Sequence, residues 1–377
     1  MSALLNKPSL RVFMTADAVG GVWQYALDLA EGLRPDGVET TLAVLGPAPS
    51  PDQQERAEAA GVTLILTDLA LDWTAESLHE VENAGHVISR LAEQADPDIV
   101  HLNSPALAAS AEFAAPVVAV CHSCVATWWQ AVRGGPLPDE FIWRTDLVRR
   151  GYHAADTLLA PTAAFAQATA QTYGLARTPT VVRNGRRALP AGGNGPEGLF
   201  AFTAGRLWDD GKNLATIDRA AARLTLPVFA AGPLQGPNGA SIEMRNAMPL
   251  GRLSDAEVTR YLSTRPIFVS AALYEPFGLA ALEAAQAGCA LVLSDIPTFR
   301  ELWDDAAVFV QPNDDDAIAT AIERLAQDGS ERSRLGSAAK ERASAYTINA
   351  MSAGVLAAYR SLLALRTDQS SAEEAAA

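Results

Sequence analysis

The segment ALYEPFGLAALEAAQAGC combines two acidic side chains with a pattern that predicts a helix. Glu275 follows an apolar run typical of a strand, Pro276 comes directly after it, and helix-forming residues continue to Gly288. Proline at the first helical position and glycine after the last turn predict a helix of about three turns. Glu275 would then lie at its amino-terminal end, where free backbone amides favour anions. The amides predicted to be free there are those of Phe277, Gly278 and Leu279.

The second acid, Glu283, lies eight residues after Glu275. On a continuous helix rising ~1.5 Å per residue, their Cα atoms would be roughly 12 Å apart along the axis. The carboxyl pair of a glycoside hydrolase is held ~5–9.5 Å apart around one bond, so this spacing better suits opposite ends of an elongated ligand. Spacing alone leaves a second interpretation open, in which Glu275 caps the helix dipole and Glu283 is solvated.

A second segment, FTAGRLWDDGKN, places Arg206 and Lys212 on a loop between a strand and a helix that starts at Asn213. Two cations beside a helix N-terminus can hold a diphosphate through charge-assisted hydrogen bonds worth roughly 1.5–3 kcal/mol each. Taken by itself, however, the segment is more typical of an arginine and a lysine exposed to solvent. Both interpretations stay open at this point.

Two segments in the first half of the chain also follow predicted strands. Gly20 and Gly21 lie between a strand and a helix, but their spacing is not that of the G-x-G-x-x-G dinucleotide motif, and a tight turn explains them. His122 follows the strand VVAVC at its carboxyl end, where open α/β sheets bind ligands. The surrounding CHSC matches a C-x-x-C redox pattern, but redox chemistry would not explain the other segments, and a zinc site would need further ligands.

Short apolar runs alternate with helical stretches such as Trp23–Leu33 and Glu76–Gln94, which predicts parallel sheets built from βαβ units. The runs are nearly continuous, as in sheets covered on both faces. The turn-rich stretch 188–198 predicts a linker between two α/β domains of similar size. The predicted strands of the first half are Leu10–Thr15, Thr40–Leu45, Val62–Thr67, Asp98–Leu102, Val117–Cys121 and Thr157–Pro161; those of the second half lie in LFAFTAG, LPVFAAG, PIFVSAA, CALVLS and AAVFVQ.

Composition and charge restrict the function further. A chain of 377 residues with 49% hydrophobic and 19% charged residues is typical of a folded protein of two domains. A net charge of −15 argues against nucleic acid as a general partner. We find no secretory signal, no apolar run of ~18 residues and no disulfide framework, so we expect a cytoplasmic protein without a transmembrane segment. A basic cluster of Arg144, Arg149 and Arg150 suits either a solvated helix face or peripheral contact with a lipid-linked acceptor.

The acidic segment resembles the Glu-x7-Glu signature of the retaining glycosyltransferases of family 4, and the resemblance spans most of the chain. It implies the GT-B architecture, in which two Rossmann-like domains face each other. In that family the first glutamate contacts the transferred sugar and the second holds the ribose hydroxyls of the nucleotide, which implies these roles for Glu275 and Glu283. The other residues that match the pattern are Pro276, Phe277 and Gly278.

The segment FTAGRLWDDGKN is similar to the family's GRL…KG motif, whose arginine and lysine hold the diphosphate of the donor. The resemblance therefore implies that role for Arg206 and Lys212. The chain departs from the motif at Asn213, where the family usually has glycine. That departure leaves the lysine in place and puts the geometry of its loop in question.

The resemblance also implies roles for residues outside these two motifs. The family has a GG loop whose backbone approaches the donor phosphates and the acceptor, here Gly20 and Gly21. A histidine after a strand contacts the hydroxyls of the donor sugar, here His122. The nucleobase is held largely by backbone contacts in the region of Arg252 and Leu253.

The implied reaction moves a sugar from a nucleoside diphosphate donor, of the UDP or GDP type, to a hydroxyl acceptor with retained anomeric configuration. The acceptor is a saccharide, a lipid-linked molecule or a small molecule. No metal and no other cofactor is expected, since cationic side chains stabilise the leaving group and the departing phosphate takes the acceptor's proton. The predicted catalytic residues are Glu275, His122, Arg206 and Lys212. The alternatives are an epimerase or phosphorylase of the same architecture, and a non-catalytic sugar-nucleotide binder.

The resemblance and the turn-rich stretch together predict the domain limits. Residues 347–366 should form a helix that crosses back to the first domain, and the polar end TDQSSAEEAAA should be disordered. The predicted limits are 1–187 for an acceptor-side domain, 188–198 for the linker, 199–346 for a nucleotide-sugar domain, 347–366 for the crossover helix and 367–377 for the tail.

Overall fold

The computed structural model describes residues 10–187 and 195–376, with side chains as far as residue 367. The described chain divides into two compact units. Unit 1 takes in the described residues of 1–127, 136–185 and 348–377, and unit 2 those of 128–135 and 186–347. Each unit is a parallel sheet with helices, so the predicted α/β class with two Rossmann-like domains is confirmed.

The sheet of unit 1 has the strand order β3-β2-β1-β4-β5-β6-β7 within the described residues. All neighbouring strands are parallel. The strands are β1 Leu10–Asp17, β2 Val38–Leu45, β3 Val62–Leu66, β4 Ile99–Leu102, β5 Val117–Val120, β6 Thr157–Ala160 and β7 Thr180–Val181. The α-helices are α1 Gly21–Leu33, α2 Pro51–Ala59, α3 Leu78–Ala95, α4 Val125–Val132, which continues into unit 2, α5 Asp139–Ala154, α6 Ala163–Tyr173 and, at the end of the chain, α13 Ile348–Ala376.

The sheet of unit 2 has the order β10-β9-β8-β11-β12-β13, again counted over the part of the chain that the structure describes, and its strands are parallel. The strands are β8 Ala201–Ala204, β9 Val228–Ala231, β10 Met248–Gly251, β11 Ile267–Ser270, β12 Ala290–Ser294 and β13 Ala307–Val310. The helices are α7 Leu214–Ala221, α8 Asp255–Ser263, α9 Leu279–Ala287, α10 Pro297–Trp303, α11 Asp315–Gln327 and α12 Gly329–Ala343.

Both sheets are buried on both faces, which explains their nearly continuous apolar strands. In β1, Val12 and Met14 belong to one core cluster, whereas Phe13 between them belongs to another. In unit 2, Phe202 and Ala201 of β8 likewise pack into different clusters. Successive side chains of a strand point to opposite faces, so each sheet separates two apolar layers.

In each sheet the strand order reverses between two adjacent strands, β1 and β4 in unit 1 and β8 and β11 in unit 2. Chain connections leave these strands in opposite directions, which opens a crevice beyond their carboxyl ends where α/β folds bind ligands. The loops after β8 and β11 carry Arg206, Lys212 and Glu275. The loop after β1 carries Gly20. The fold therefore places these four predicted site residues at the switch points of their sheets.

Two strands have no counterpart among the sequence predictions, β7 and β10. Both lie at the edge of a sheet, where a strand needs fewer apolar residues because one side is unpaired. β10 reads Met-Pro-Leu-Gly, and proline is tolerated only at such an edge. All the strands that the sequence predicts are present, and their ends differ from the predicted ones by at most two residues.

The predicted crossover helix, 347–366, corresponds to the first part of α13, which packs against α1 in unit 1. A Cβ added to Gly32 of α1 would lie 2.6 Å from Ile348 and 2.9 Å from Ser352, so the two helices approach closely. Within the described residues, Ile348–Thr367 is long and apolar enough to cross a membrane. Its buried side chains, including Val355 and Tyr359, instead belong to the core of unit 1.

The structure also describes most of the predicted tail and part of the predicted linker. The tail predicted to be disordered is helical as far as Ala376, which continues α13, so that prediction is wrong for 367–376. Of the predicted linker, 188–194 lies outside the described residues. The division between the units falls between Gly185 and Arg186.

Candidate functional site

The two loops at the switch point of unit 2 are joined by backbone hydrogen bonds. The first loop follows β8 and includes a single 3-10 turn, Asp210–Lys212. The carbonyl oxygen of Gly211 in this turn accepts from the amides of Leu273 and Tyr274, at 2.9 and 3.2 Å. Leu273 and Tyr274 belong to the second loop, which follows β11. The lysine and the glutamate that the sequence singled out are therefore brought together although 63 positions separate them.

Lys212 and Glu275 form an ion pair between these loops, from Nζ to Oε2. Their side chains are 22% and 16% exposed, so the pair is largely shielded from water and yet reachable by a ligand. The backbone oxygen of Glu275 accepts a 2.6 Å hydrogen bond from the hydroxyl of Thr298, which fixes the loop from the other side. Lys212 and Glu275 both line one pocket, which therefore has one positive and one negative charge in its wall. Its lining includes Thr203, Ser270 and Gly278.

Asp209 organises the first loop, and sequence reasoning missed it. Its carboxylate accepts from Nη2 of Arg206 at 2.7 Å, from the amide of Gly211 at 2.9 Å and from the indole of Trp128 at 3.0 Å. Burial by itself would raise the pKa of Asp209, but the positive charges of Arg206 and Lys212 and the hydrogen bonds from Arg206 and Trp128 together hold that pKa below its usual range. Asp209 is therefore ionised at neutral pH and fixes the guanidinium of Arg206 beside the lysine loop.

Asn213 occupies the position where the family usually has glycine. Its backbone is left-handed, with φ of 55°, a conformation that asparagine tolerates better than most residues. Its side-chain amide donates to the carbonyl oxygens of Ala271 at 3.1 Å and Pro312 at 2.7 Å, and its oxygen accepts from Thr216 at 2.8 Å. Asparagine thus supplies the backbone conformation of a glycine and adds hydrogen bonds that hold the loop to its neighbours.

Helix α9 begins at Leu279, three positions later than the sequence predicted. Pro276 lies in the loop before it, so the prediction that this proline opens the helix is wrong. Gly278 is the residue before the helix, with φ of 91° and no side-chain cap. A Cβ there would lie 2.8 Å from the ring of Phe299, so only glycine fits this turn without strain. The first turn of α9 opens onto the pocket beside Lys212, through Gly278 and Ala280.

The other two residues of the predicted amide group differ in burial. Phe277 is 3% exposed and packs edge-on against Tyr346, with ring centroids 5.8 Å apart, so its side chain anchors the start of α9. Leu279 is half-buried against the same core cluster. The free amides expected for a helix beginning at Leu279 are those of its first turn, so they lie slightly further along the chain than the sequence predicted.

Glu283 lies within α9, and its side chain is 15% exposed. Its Oε1 atom accepts from both Nε and Nη2 of Arg186, at 2.7 and 2.6 Å. The roughly 12 Å separation expected from a continuous helix does not apply, because only the part from Leu279 onward is helical. Arg186 was not among the predicted site residues, and its partner lies 97 positions away.

The two residues predicted at the nucleobase follow β10, which ends next to β9. Arg252 is exposed, and Leu253 is half-buried against the core of unit 2. Ser254 then caps α8 in a capping box with Glu257. Arg252 and Leu253 both lie beyond the carboxyl end of their strand, as does the loop that carries Lys212. Their contact with a nucleobase stays a prediction.

In unit 1, His122 lies after β5 and next to a buried amide. Its Nε2 is 2.7 Å from Oδ1 of Asn103, whose Nδ2 donates to the carbonyl oxygen of Thr15 at 2.7 Å. Burial, and then the nearby His101, lower the pKa of His122 to about 3, so its ring is neutral at neutral pH. Because the amide oxygen of Asn103 can only accept, Nε2 carries the hydrogen and Nδ1 is left as an acceptor. Asn103 thus selects the tautomer that could receive a hydrogen bond from a hydroxyl.

The two glycines of unit 1 begin α1. Gly21 is its first residue and Gly20 the residue before it, whose carbonyl oxygen accepts from the amide of Trp23 at 3.2 Å. Asp17, at the end of β1, accepts from the amide of Val19 at 2.9 Å and shapes the same turn. The predicted strand–glycine–helix arrangement is present, and the approach of its backbone to a ligand stays a prediction.

The cysteines of CHSC are buried and free. Burial raises the pKa of Cys121 to about 12, and it raises the pKa of Cys124 as well, so both thiols are protonated. Reactive thiols need the opposite shift. Within the described residues no group of three or more His, Cys, Asp and Glu side chains is placed to hold a metal ion.

The basic cluster on α5 is engaged within its own unit. The guanidinium of Arg144 lies 4.3 Å from the ring centroid of Trp143. Arg149 and Arg150 both contact Asp146. Contact of this cluster with a lipid-linked acceptor stays a prediction.

Comparisons with known proteins bear on both units. The model described as Glycosyltransferase Family 4 matches residues 19–186, and the one described as Glycosyl transferases group 1 matches residues 245–342. The chain is a glycosyltransferase of the family 4 type. A curated relative, the O-antigen chain mannosyltransferase B of Escherichia coli, is 36% identical over 83 residues. That match spans 22% of this chain and 22% of the relative's length.

Solved structures establish the fold of this family 4 glycosyltransferase as GT-B. Sucrose-phosphate synthase from Thermosynechococcus elongatus superposes with a TM-score of 0.78 at 17% identity, covering 94% of this chain and 100% of that one. HepE of Anabaena, solved in complex with UDP and glucose, superposes with a TM-score of 0.71 at 16% identity, covering 92% and 99%.

Proposed function

We propose that this family 4 glycosyltransferase moves a sugar from a nucleoside diphosphate sugar of the UDP or GDP type to a hydroxyl acceptor with retained configuration, in the cytoplasm. The observation that carries the proposal is the pairing of Lys212 with Glu275 between the two loops at the switch point of unit 2. Arg206 is held beside them through Asp209. The bound UDP and glucose of HepE support a donor of this class.

Each of these residues would have a separate role in the reaction. In the proposed reaction the bond between the anomeric carbon and the diphosphate oxygen breaks, and the acceptor oxygen bonds to that carbon. The hydroxyl proton passes to the departing phosphate. Arg206, Lys212 and the first-turn amides of α9 would stabilise the leaving charge, since preorganised donors act most strongly in a site shielded from water. Glu275 would orient the sugar and offset the positive charge that develops on it.

In the proposed site, cationic side chains and backbone amides would offset the charge of the diphosphate, and no metal is needed for that role. Two cationic side chains and a helix N-terminus face the place where the charge of the diphosphate would lie. His122, with Nδ1 as an acceptor, would receive a hydroxyl of the donor sugar, and Gly20 and Gly21 would let the backbone approach the donor.

The test separates transfer from nucleotide binding. A panel of UDP- and GDP-sugars screened by thermal stabilisation identifies the donor, and transfer is then measured in Glu275→Gln and Lys212→Ala. Each variant should lose at least ~100-fold in transfer, the scale of removing one transition-state contact. Lys212→Ala should also weaken nucleoside diphosphate binding. Glu275→Gln should not, because it frees the lysine from its ion pair.

Two matched controls exclude general damage. Lys340→Ala removes an exposed lysine, and Glu331→Gln breaks an ion pair with Arg334 on the surface of α12. Both should retain wild-type transfer. Full transfer in Glu275→Gln and Lys212→Ala would overturn the proposed mechanism.

A further inference from the structure

Arg186 begins the longer segment of unit 2, 186–347, and it contacts α9 through its side chain and its backbone. Nε and Nη2 of its guanidinium both donate to Oε1 of Glu283, and its carbonyl oxygen accepts from the side-chain amide of Gln286 at 3.2 Å. Residues three apart lie on the same face of a helix, so Arg186 engages one face of α9 at two points.

The backbone of Arg186 is held from the other side as well. Its amide donates to the carbonyl oxygen of Tyr346 at 3.3 Å, and it forms a parallel bridge with Thr347. Tyr346 is itself buried and packs against Phe277 at the start of α9. The guanidinium therefore reaches Glu283 from a fixed base rather than from a mobile loop.

Burial makes the ion pair a poor candidate for a purely stabilising contact. Arg186 is 7% exposed and Glu283 is 15% exposed. The desolvation of two such charges offsets most of their attraction, and apolar residues of similar size would often stabilise the fold as well. The pair does fix the orientation of a carboxylate, because a planar guanidinium donates in a set geometry that lysine cannot reproduce.

We propose that Arg186 is a positioning residue that orients the Glu283 carboxylate toward the ribose hydroxyls of the nucleotide. The inference rests on the proposed function and on the role that the family resemblance implies for Glu283, which is to accept from those hydroxyls. A glutamate held in one rotamer loses less conformational freedom when the nucleotide binds, so the preorganised carboxylate discriminates more strongly in favour of ribose. Arg186 would act through Glu283 without touching the nucleotide itself.

The experiment compares ribonucleotides with their 2′-deoxy counterparts by calorimetry. UDP is measured against 2′-deoxy-UDP and GDP against 2′-deoxy-GDP, and the pair that binds the wild-type protein more tightly is carried forward. The wild type should favour the ribonucleotide by about tenfold or more, the loss expected for one hydrogen bond to a charged group. Each ratio compares two ligands on one preparation, so a reduced folded fraction cancels.

Arg186→Lys keeps the positive charge and removes the two-donor geometry. It should reduce the ratio to about threefold or less, through weaker binding of the ribonucleotide alone, and Arg186→Gln should do the same. The matched control is Arg223→Lys, which alters a surface ion pair with Asp315 in the same unit and should keep the wild-type ratio. An unchanged ratio in both Arg186 variants, or equal weakening of both nucleotides, would assign Arg186 a structural role and overturn the proposal.

Glu283→Gln distinguishes failure of this inference from failure of the proposed function. If that variant retains the full preference for ribose, Glu283 does not contact the hydroxyls, and the roles of Glu283 and of Arg186 both fail. If it loses the preference while Arg186→Lys keeps it, the role of Glu283 stands and only the role of Arg186 is wrong. A stronger preference in Arg186→Lys would mean that the arginine masks the carboxylate, which also contradicts the proposal.

Discussion

Two histidines near the carboxyl edge of the first sheet are held neutral by their surroundings. His101 is fully buried, with Nδ1 2.7 Å from the hydroxyl of Tyr359, and burial lowers its pKa to about 3. His122 has a pKa lowered to about 3 for the same reason, with a further contribution from His101. An unfolded chain would protonate both rings near pH 6.5. The folded protein therefore resists two protons that the unfolded chain accepts.

This difference predicts a loss of stability in mild acid. The contribution of each neutral ring is complete above pH 6.5 and is lost as the pH falls toward 3, by at most about 1.4 kcal/mol per pH unit for each ring. We expect the free energy of unfolding in urea to fall between pH 6.5 and 5. In His122→Gln the slope of the free energy of unfolding against pH should correspond to about one bound proton fewer than in the wild type.

The wild type, measured over the same pH range, is the reference for this comparison. If the slope of His122→Gln equalled that of the wild type, the folded protein would bind a proton at His122, and the neutral tautomer set by Asn103 would be wrong.

At this scale the sequence predicted the residues whose types carry chemistry and missed those that hold them. Lys212 and Glu275 were recognisable from motifs, and the structure brings them together. Asp209, Asn103 and Arg186 were not predicted, since their meaning comes from partners 81, 88 and 97 positions away. Such pairs become visible only in the folded chain, because nothing in the local sequence links the two partners.

Asn213 gives a prediction about the lysine loop and α7. Asn213→Gly keeps the left-handed backbone at no steric cost and loses the side-chain bonds to Ala271 and Pro312. Asn213→Ala loses the same bonds and adds a left-handed alanine, which costs roughly 1–2 kcal/mol. The alanine variant should therefore be less stable than the glycine variant by about that amount, as measured by urea unfolding.

Sugar transfer by the same two variants tests whether the loop depends on the backbone conformation at Asn213 or on its side-chain hydrogen bonds. If conformation is the main requirement, the glycine variant retains most of the wild-type activity and the alanine variant loses more. Equal stability and equal activity of the two variants would show that the backbone conformation at Asn213 contributes nothing, and that the side-chain bonds alone hold the loop.

Element ends were harder to predict than element order. The helix after Glu275 starts at Leu279 because Gly278 adopts a positive φ that ends the loop there, and proline spacing does not reveal that turn. Strands β7 and β10 were missed because edge strands lack the apolar pattern of central ones. The βαβ order itself was predictable, since two buried faces impose continuous apolar runs on the central strands.

The whole chain divides its work between two units with separate cores. The cationic side chains proposed to hold the donor diphosphate, Arg206 and Lys212, lie in unit 2, on the loop that follows its central strand β8. His122 and the glycine pair lie in unit 1. A nucleoside diphosphate without its sugar should therefore act mainly on unit 2.

This division leads to a prediction for hydrogen exchange. At ~100 times its dissociation constant, UDP or GDP should stabilise the state that binds it by ~2.7 kcal/mol. We expect mass spectrometry to show slower exchange for the amides of β8 and β11, with much smaller changes in β1 and β4. The free nucleoside, which lacks the diphosphate, and the Lys212→Ala variant should both give weaker protection. Equal slowing in the central strands of both units would contradict the assignment, because it would mean that the diphosphate also binds to unit 1 or that the two units unfold as one.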